Sequence, residues 1–138
     1  MLLALAVGSA LAFGCGGSPK PTTPSTPQMT IVVQSDEETN QGRPLHVLVR
    51  AVDLQTFLEE PYPSVAEKVI TPDDSVLAQT VIFPGTEEVV SFDQPTSTPV
   101  AIYFLFTNPG TPWKLQLDEP LPSRVELELD KDSIVESD

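Results

Sequence analysis

The residues that could carry chemistry are few and scattered along the sequence. His46 is the only histidine, and no serine or cysteine has a recognisable triad spacing from it, so nucleophilic catalysis has no support. The acidic runs Asp36-Glu37-Glu38 and Asp73-Asp74 lack the alternating acids, the glycine and the final glutamate of an EF-hand calcium loop. We therefore predict that these acids are solvated loop charges, that the chain holds no metal ion, and that it is not an enzyme.

The single cysteine lies directly after an apolar run. Residues 2–13 are all apolar or small, and at about a dozen positions the run is shorter than the roughly 20 residues that a bilayer-spanning helix needs. This length is typical of the hydrophobic region of a signal peptide. The sequence LAFGC at residues 11–15 resembles the bacterial lipobox, in which the cysteine is acylated and becomes the mature N-terminus. We predict a signal peptide at residues 1–14 and a lipid on Cys15.

The segment after the cysteine supports this interpretation. A lone cysteine is often a small buried residue of a core helix. Residues 16–27 argue against that alternative, because they contain four prolines and cannot continue a helix. We predict that residues 15–27 are the acylated cysteine and an extended linker. Gly16 stands where lipoproteins retained at the inner membrane commonly carry aspartate, so resemblance to that sorting rule implies an outer-membrane anchor and a periplasmic domain.

The charge balance limits the class of partner. The 138 residues include 20 acidic and 7 basic side chains, and the net charge is -13. Duplex nucleic acid is bound by Lys and Arg side chains that neutralise its phosphates, so we predict no nucleic-acid partner. One cysteine cannot form an internal disulfide. The one domain expected from this length, residues 28–138, must therefore be stabilised by its apolar core.

This domain carries β signals almost throughout. Alternating or continuous apolar residues predict strands at 29–33, 45–52, 78–83, 87–92, 99–107, 113–117 and 124–130. The turn residues Pro84-Gly85-Thr86 predict a hairpin between the third and fourth strands. Short strands with proline-rich connections favour a two-sheet β-sandwich over a barrel. The predicted fold class is all-β.

One segment departs from the β pattern. Leu54, Phe57 and Leu58 have helical spacing, as do Val65 and Val69. The intervening Pro-Tyr-Pro allows only short helical turns on either side. We predict a short helical insert at residues 53–69 that covers an edge of a sheet.

A longer stretch resembles a known family. QGRPLHVLVRAVDL at residues 41–54 is similar to N-G-R-P-x-P-V-V-V-R-x-Y-x-L in the TssJ (SciN) lipoproteins of bacterial type VI secretion systems. Pro84-Gly85 resembles the family's P-G-E turn, and Phe106 with Trp113-Lys114 resembles its F-R-D … W-R segment. The order of these features is the same in the chain and in the family. The chain departs from the pattern at His46, Val52, Thr86 and Thr107.

The resemblance implies a function as well as a fold. The expected fold is a transthyretin-like, two-sheet β-sandwich that holds a type VI secretion membrane complex to the outer membrane by binding the inner-membrane TssM-type protein. In the family the loop between the first two strands is a contact, and here that loop is residues 36–43. Gly42 and Arg43 match the motif, and we add Glu37, Glu38 and Asn40 as neighbours. No cofactor is implied beyond the covalent lipid on Cys15.

Two other interpretations remain open from the sequence. A periplasmic lipoprotein that binds a sugar or a peptide would share the lipobox and the strands, and would need an aromatic-lined pocket near Trp113 or Tyr103. An enzyme would need a cleft with acids of perturbed pKa, for which Asp73, Asp74 and Glu67 are the candidates.

Overall fold

The computed structural model describes residue 14, residues 16–17 and residues 25–136. Residues 1–13 of the predicted signal peptide, Cys15 and most of the linker therefore lie outside the described residues. In the part that is described, no helix is long and apolar enough to cross a membrane. The elements are β1 Gln28–Gln34, β2 Leu45–Ala51, α1 Leu54–Glu59, α2 Tyr62–Ile70, β3 Val76–Ile82, β4 Glu87–Asp93, β5 Val100–Leu105, β6 Lys114–Leu117, β7 Arg124–Leu129 and β8 Ile134–Glu136.

The strands form two sheets of four. The first sheet has the order β4-β1-β7-β8 and the second has the order β3-β2-β5-β6. All neighbouring strands are antiparallel except β1 and β7, which are parallel. The prediction of an all-β, two-sheet sandwich with a short helical insert is confirmed. All seven predicted strands are present, and β8 is an additional one.

The core lies between the sheets, and the alternation of apolar residues explains which faces meet. On β1, Met29, Ile31 and Val33 are fully buried in the interior cluster, and Ile102 and Phe104 of β5 face them from the second sheet. Adjacent residues of a strand point to opposite faces, so a strand with one apolar row needs only one covered face. β5 is apolar on both faces because it is a central strand whose other face is also covered.

The predicted hairpin at Pro84-Gly85-Thr86 is wrong. β3 pairs with β2 and β4 pairs with β1, so the turn carries the chain from one sheet to the other. Gly85 has a positive φ of 81°, and the Thr86 hydroxyl donates to the Phe83 carbonyl at 2.6 Å, as a tight turn requires. Turn residues specify a reversal of the chain, but they do not specify whether the two strands then pair.

The helical insert covers a face of the second sheet and not an edge, which corrects the second local prediction. The side chain of Asp53 caps α1 by accepting from the Thr56 amide at 2.7 Å, and a proline in the first turn of α2 begins that helix. Val65 of α2 is fully buried against Leu48 and Tyr103, which belong to the central strands β2 and β5. The outer face of these two strands carries apolar side chains, and the helical insert removes them from water by covering the middle of the sheet.

Candidate partner-binding surface

The predicted contact segment lies in the β1–β2 loop, residues 35–44. Its centre is a tight turn at Thr39–Gly42 in which Asn40, Gln41 and Gly42 have positive φ values of 52°, 57° and 76°. Glycine adopts this left-handed conformation without cost and asparagine tolerates it, whereas glutamine does so only under constraint. The Asp36 carboxylate accepts from the amides of Glu38 and Thr39 at 2.9 and 3.0 Å, which fixes the entry to the turn. The loop therefore has one defined shape.

Asn40 connects this loop to two others. Its side-chain amide nitrogen donates to the carbonyls of Arg43 at 3.1 Å and Pro44 at 3.2 Å, and its side-chain oxygen accepts from the backbone amide of Thr107 at 2.8 Å. Its own backbone amide donates to the carbonyl of Lys131 at 2.8 Å. Thr107 belongs to the β5–β6 loop and Lys131 to the β7–β8 loop. Three loops are thus joined at one end of the sandwich.

The other predicted contact residues point to solvent. Glu37, Glu38, Gly42 and Arg43 are exposed. A shallow depression of about 470 Å³ is lined by Glu37, Glu38, Gln41, Gly42 and Lys131. The Glu38 carboxylate and the Lys131 ammonium are 3.7 Å apart, but both side chains are mostly exposed, so this ion pair is weak.

Asn40 differs from the other predicted contact residues. It is only 3% exposed, and all of its side-chain hydrogen-bonding groups are used within the protein. The structure therefore places its side chain under the loop and not at the surface that a partner would touch. Sequence reasoning also missed Thr107 and Lys131, because no local pattern reveals which distant loops will meet.

The loop lies at the far end of β1 from the linker. β1 begins at Gln28, where the linker ends, and stops at Gln34, just before the loop. Seven residues of extended strand separate the two ends by about 20 Å. A partner at the β1–β2 loop and a membrane at the linker would therefore approach opposite ends of the sandwich.

One candidate acid of the enzyme interpretation, Asp73, has a pKa shifted in the wrong direction for general acid catalysis. The Ser75 hydroxyl, together with Lys68, lowers the pKa of Asp73 to about 2, whereas a general acid at neutral pH needs a raised pKa. Asp74 and Glu67 are exposed. Among the described residues, no group of three or more His, Cys, Asp or Glu side chains has an arrangement that could hold a metal ion.

The aromatic residues near Trp113 are packed together by the protein's own side chains. Tyr103 is fully buried, and its ring centroid lies 5.9 Å from that of Trp113. Tyr62 of α2 stacks edge-on against Trp113 at 4.9 Å, and the Lys114 ammonium lies 5.4 Å from the Trp113 ring centroid while it donates to the Phe57 carbonyl. The aromatic platform that a sugar-binding or peptide-binding protein would need is therefore occupied by the helical insert and by Lys114.

Comparison with known proteins gives both sequence and structural matches. The family model described as "IglE, N-terminal domain" matches residues 46–129. No curated protein matches the chain. The type VI secretion lipoprotein TssJ1 from Pseudomonas aeruginosa is similar in structure, with a TM-score of 0.62 and 16% identity over 80% of this chain and 95% of that chain. Lip from Serratia marcescens, a membrane-bound component of the type VI secretion system, has a TM-score of 0.67 and 15% identity over 80% and 97% of the two chains.

A third structural match comes from a chain in the structure of the type VI secretion protein TssM C-terminal domain from EAEC. Its TM-score is 0.63 at 14% identity, over 78% of this chain and 95% of that chain. At such identities the structural matches establish the β-sandwich fold, and the family model establishes kinship, because it spans more than half of the chain. The chain therefore belongs to the IglE family of type VI secretion lipoproteins, and the resemblance to TssJ noted in its sequence is confirmed.

Proposed function

We propose that this chain is an outer-membrane lipoprotein that docks the inner-membrane TssM-type protein in the membrane complex of a type VI secretion system. The observation that carries the proposal is the β1–β2 loop, which has one defined shape, exposes charged residues and lies at the end of the sandwich away from the linker. Membership of the IglE family and the structural match to a chain in a TssM structure support it.

Attachment to the membrane is the first part of the proposed mechanism. Residues 1–14 are removed as a signal peptide, Cys15 carries the lipid, and residues 28–138 form the periplasmic domain. Acyl chains contribute about 0.8 kcal/mol per buried methylene, so two or three chains give lasting anchorage. The 12 linker residues at 16–27 extend at most roughly 37 Å at about 3.1 Å each. The domain, with its excess of acidic residues, would be repelled by anionic lipids and would stand away from the leaflet.

Docking is the second part. A loop that is already fixed by hydrogen bonds loses little conformational entropy on binding, which leaves more of the contact energy for affinity. Exposed charges such as those of Glu37, Glu38 and Arg43 favour the correct orientation of an encounter and raise the association rate. The mechanism is mechanical, and it requires no catalytic step and no cofactor beyond the lipid on Cys15.

Binding to the periplasmic region of the cognate TssM-type protein tests the proposal. We would purify the full acylated chain from membranes in detergent and measure its affinity by biolayer interferometry. The test variant replaces Glu37, Glu38 and Arg43 by alanine, and the matched control is Asp118→Ala, an exposed residue directly after β6 at the end of the sandwich away from the loop. Both variants change the net charge by the same amount, because the test variant removes two acids and one base and the control removes one acid.

The expected result is capture by the wild type and by the control, with binding lost in the loop variant. Equal binding by all three proteins would show that the contact lies elsewhere on the domain. No capture by a folded, acylated wild-type chain would overturn the docking function itself.

The lipid anchor is tested separately. Cys15→Ser should release the chain from the membrane fraction and should abolish the mass added by acylation, whereas the wild type should sediment with outer membranes. A wild-type protein that is soluble without detergent would contradict the anchor, whatever the docking experiment shows.

A further inference from the structure

The centre of the β1–β2 loop is a turn that its own sequence does not favour. Two residues in succession that are not glycine, Asn40 and Gln41, have left-handed backbone angles, and Gly42 continues the same conformation. This region is sterically costly for residues with a Cβ atom, so a chain free in solution would leave it. Something outside the turn must therefore hold it in place.

Asn40 makes the hydrogen bonds that hold the turn in place. Its side chain uses both amide hydrogens on carbonyls of the following residues, Arg43 and Pro44, and uses its oxygen on the amide of Thr107. Thr107 is 67 positions away in sequence and lies on the β5–β6 loop. The backbone amide of Asn40 adds a bond to Lys131 of the β7–β8 loop. These bonds join the turn to two other loops at the same end of the sandwich.

Because Asn40 is buried, the loss of these hydrogen bonds would cost more free energy than at an exposed residue. At 3% exposure Asn40 is buried, so a side-chain bond that is lost leaves one of its own polar groups without a partner and with little access to water. A movement of the turn away from the β5–β6 loop would expose these polar groups to water and relieve the cost. Arg43 comes directly after the turn, so such a movement would displace an exposed residue of the candidate contact surface.

We propose that Asn40 is a positioning residue that holds the β1–β2 loop in the conformation that binds the partner, an inference that rests on the proposed docking function. Its side chain does not touch the partner. It acts through Glu37, Glu38 and Arg43, whose placement depends on the turn. A loop that is released from Asn40 visits the binding conformation for only a fraction of the time, and the apparent affinity falls by that fraction.

Two substitutions separate hydrogen bonding from volume and from backbone conformation. Asn40→Asp keeps the size of the side chain and the acceptor for Thr107, but it sets a carboxylate oxygen against the carbonyls of Arg43 and Pro44. Asn40→Gly adopts the left-handed conformation freely, and it therefore removes the bonds without adding backbone strain.

A control at the other end of the sandwich accounts for general loss of stability. The Ser75 hydroxyl accepts from the Arg50 guanidinium at 2.9 Å and donates to Asp73. Ser75 precedes β3, whose first residues lie at the end away from the β1–β2 loop. Ser75→Ala therefore removes hydrogen bonds and lowers the melting temperature without disturbing the candidate contact surface.

The experiment measures affinity for the periplasmic region of the TssM-type protein and amide hydrogen exchange, with full-length acylated chains at a temperature where all are folded. We expect both Asn40 variants to bind about tenfold more weakly, the loss that follows if the binding conformation falls to about a tenth of the population. The Thr107 amide should exchange faster in Asn40→Gly while the amides of β2 and β5 stay protected. Ser75→Ala should bind as the wild type does.

Three results would overturn the inference. Asn40 variants that bind as tightly as the wild type would show that the loop needs no such support. A loss of affinity in Ser75→Ala equal to that in the Asn40 variants would assign the effect to general destabilisation. Unchanged exchange of the Thr107 amide in Asn40→Gly would show that Asn40 does not hold the loop. Failure of the wild type to bind would instead contradict the docking function, and the exchange data would still decide whether Asn40 fixes the turn.

Discussion

The helical insert, α1 and α2, and the β1–β2 loop are both connections between strands, but different forces hold them to the sandwich. The insert is attached by apolar burial: Val65 is fully covered, and it packs on Leu48 and Tyr103 of the second sheet. A buried ion pair of 2.8 Å between Arg50 and Glu60 supports the same contact. The loop is attached by the hydrogen bonds of Asn40 and leaves its charged side chains in solvent.

This difference indicates what each region does. Burial of apolar side chains contributes several kcal/mol per site, so changes in the insert should appear as changes in the free energy of unfolding. Exposed side chains contribute little to folding, so changes on the loop surface should appear in binding and not in stability. The insert completes the fold, and the loop presents the surface that we propose for recognition.

The largest expected effect comes from the sheet beneath the insert. Leu48 is fully buried among Val65, Tyr103 and neighbouring apolar residues. Leu48→Ala should lower the free energy of unfolding by about 3 kcal/mol, because it removes apolar contacts and leaves a cavity. Urea denaturation followed by tryptophan fluorescence measures this, since Trp113 packs in the same region. A loss below about 1 kcal/mol would mean that the insert is not firmly packed on the sheet.

The next effect comes from the buried ion pair. Glu60 pairs with Arg50, and the Arg50 side chain is only 4% exposed. Glu60→Ala leaves the guanidinium with the Ser75 hydroxyl and the Tyr103 ring as its remaining contacts. We expect a loss of about 2 kcal/mol in the free energy of unfolding, because an uncompensated buried charge is costly. The double variant Arg50→Met with Glu60→Ala should recover part of it, and no recovery would show that the two residues act separately.

The sequence predicted the strands well because alternation of apolar residues is a local signal. It did not predict which segments that are distant in the chain would pair or contact each other. The Pro84-Gly85-Thr86 turn specified a reversal, but whether β3 and β4 pair depends on which strands already occupy each sheet. β8 has only three residues, which is too short for a period of two to stand out.

Arg50 and Asn40 show the same limit in the two regions compared above. The alternation along β2 places Arg50 on the outer face of the second sheet, and this face would be exposed to solvent if nothing covered it. Arg50 is buried because the helical insert covers this face. Asn40 lies in a polar loop, a position where sequence reasoning expects exposure, and only the arrival of the Thr107 amide from a distant loop explains its burial. In both cases the decisive neighbour comes from another part of the chain.

A smaller effect should appear with pH at the C-terminal side of the insert. The Ser75 hydroxyl and Lys68, whose ammonium is 3.0 Å from the carboxylate, lower the pKa of Asp73 from 3.8 to about 2. A carboxyl group with a depressed pKa stabilises the folded state above its unfolded pKa, and this stability is lost as the pH falls from about 4 towards 2. The side chain is 46% exposed, so solvent screening should keep the contribution below about 1 kcal/mol.

Comparison of Asp73→Asn with the wild type by thermal denaturation between pH 7 and pH 2 measures this contribution. The two proteins should differ most at neutral pH and should converge at low pH, where the wild-type carboxyl group is protonated. A difference that grows as the pH falls would have the opposite sign and would contradict the role assigned to the ionised carboxylate.

The smallest effect on stability should come from the loop surface, and it is the sharpest test of the contrast with the insert. Arg43 is exposed and forms no ion pair within residues 25–136. Arg43→Ala should therefore change the free energy of unfolding by no more than about 0.5 kcal/mol. If the loop is the docking contact, the same variant should change the association rate with the TssM-type protein and its dependence on salt, as rim charges do. A loss of stability as large as that of Glu60→Ala would show that Arg43 supports the fold, and the distinction between the two regions would fail.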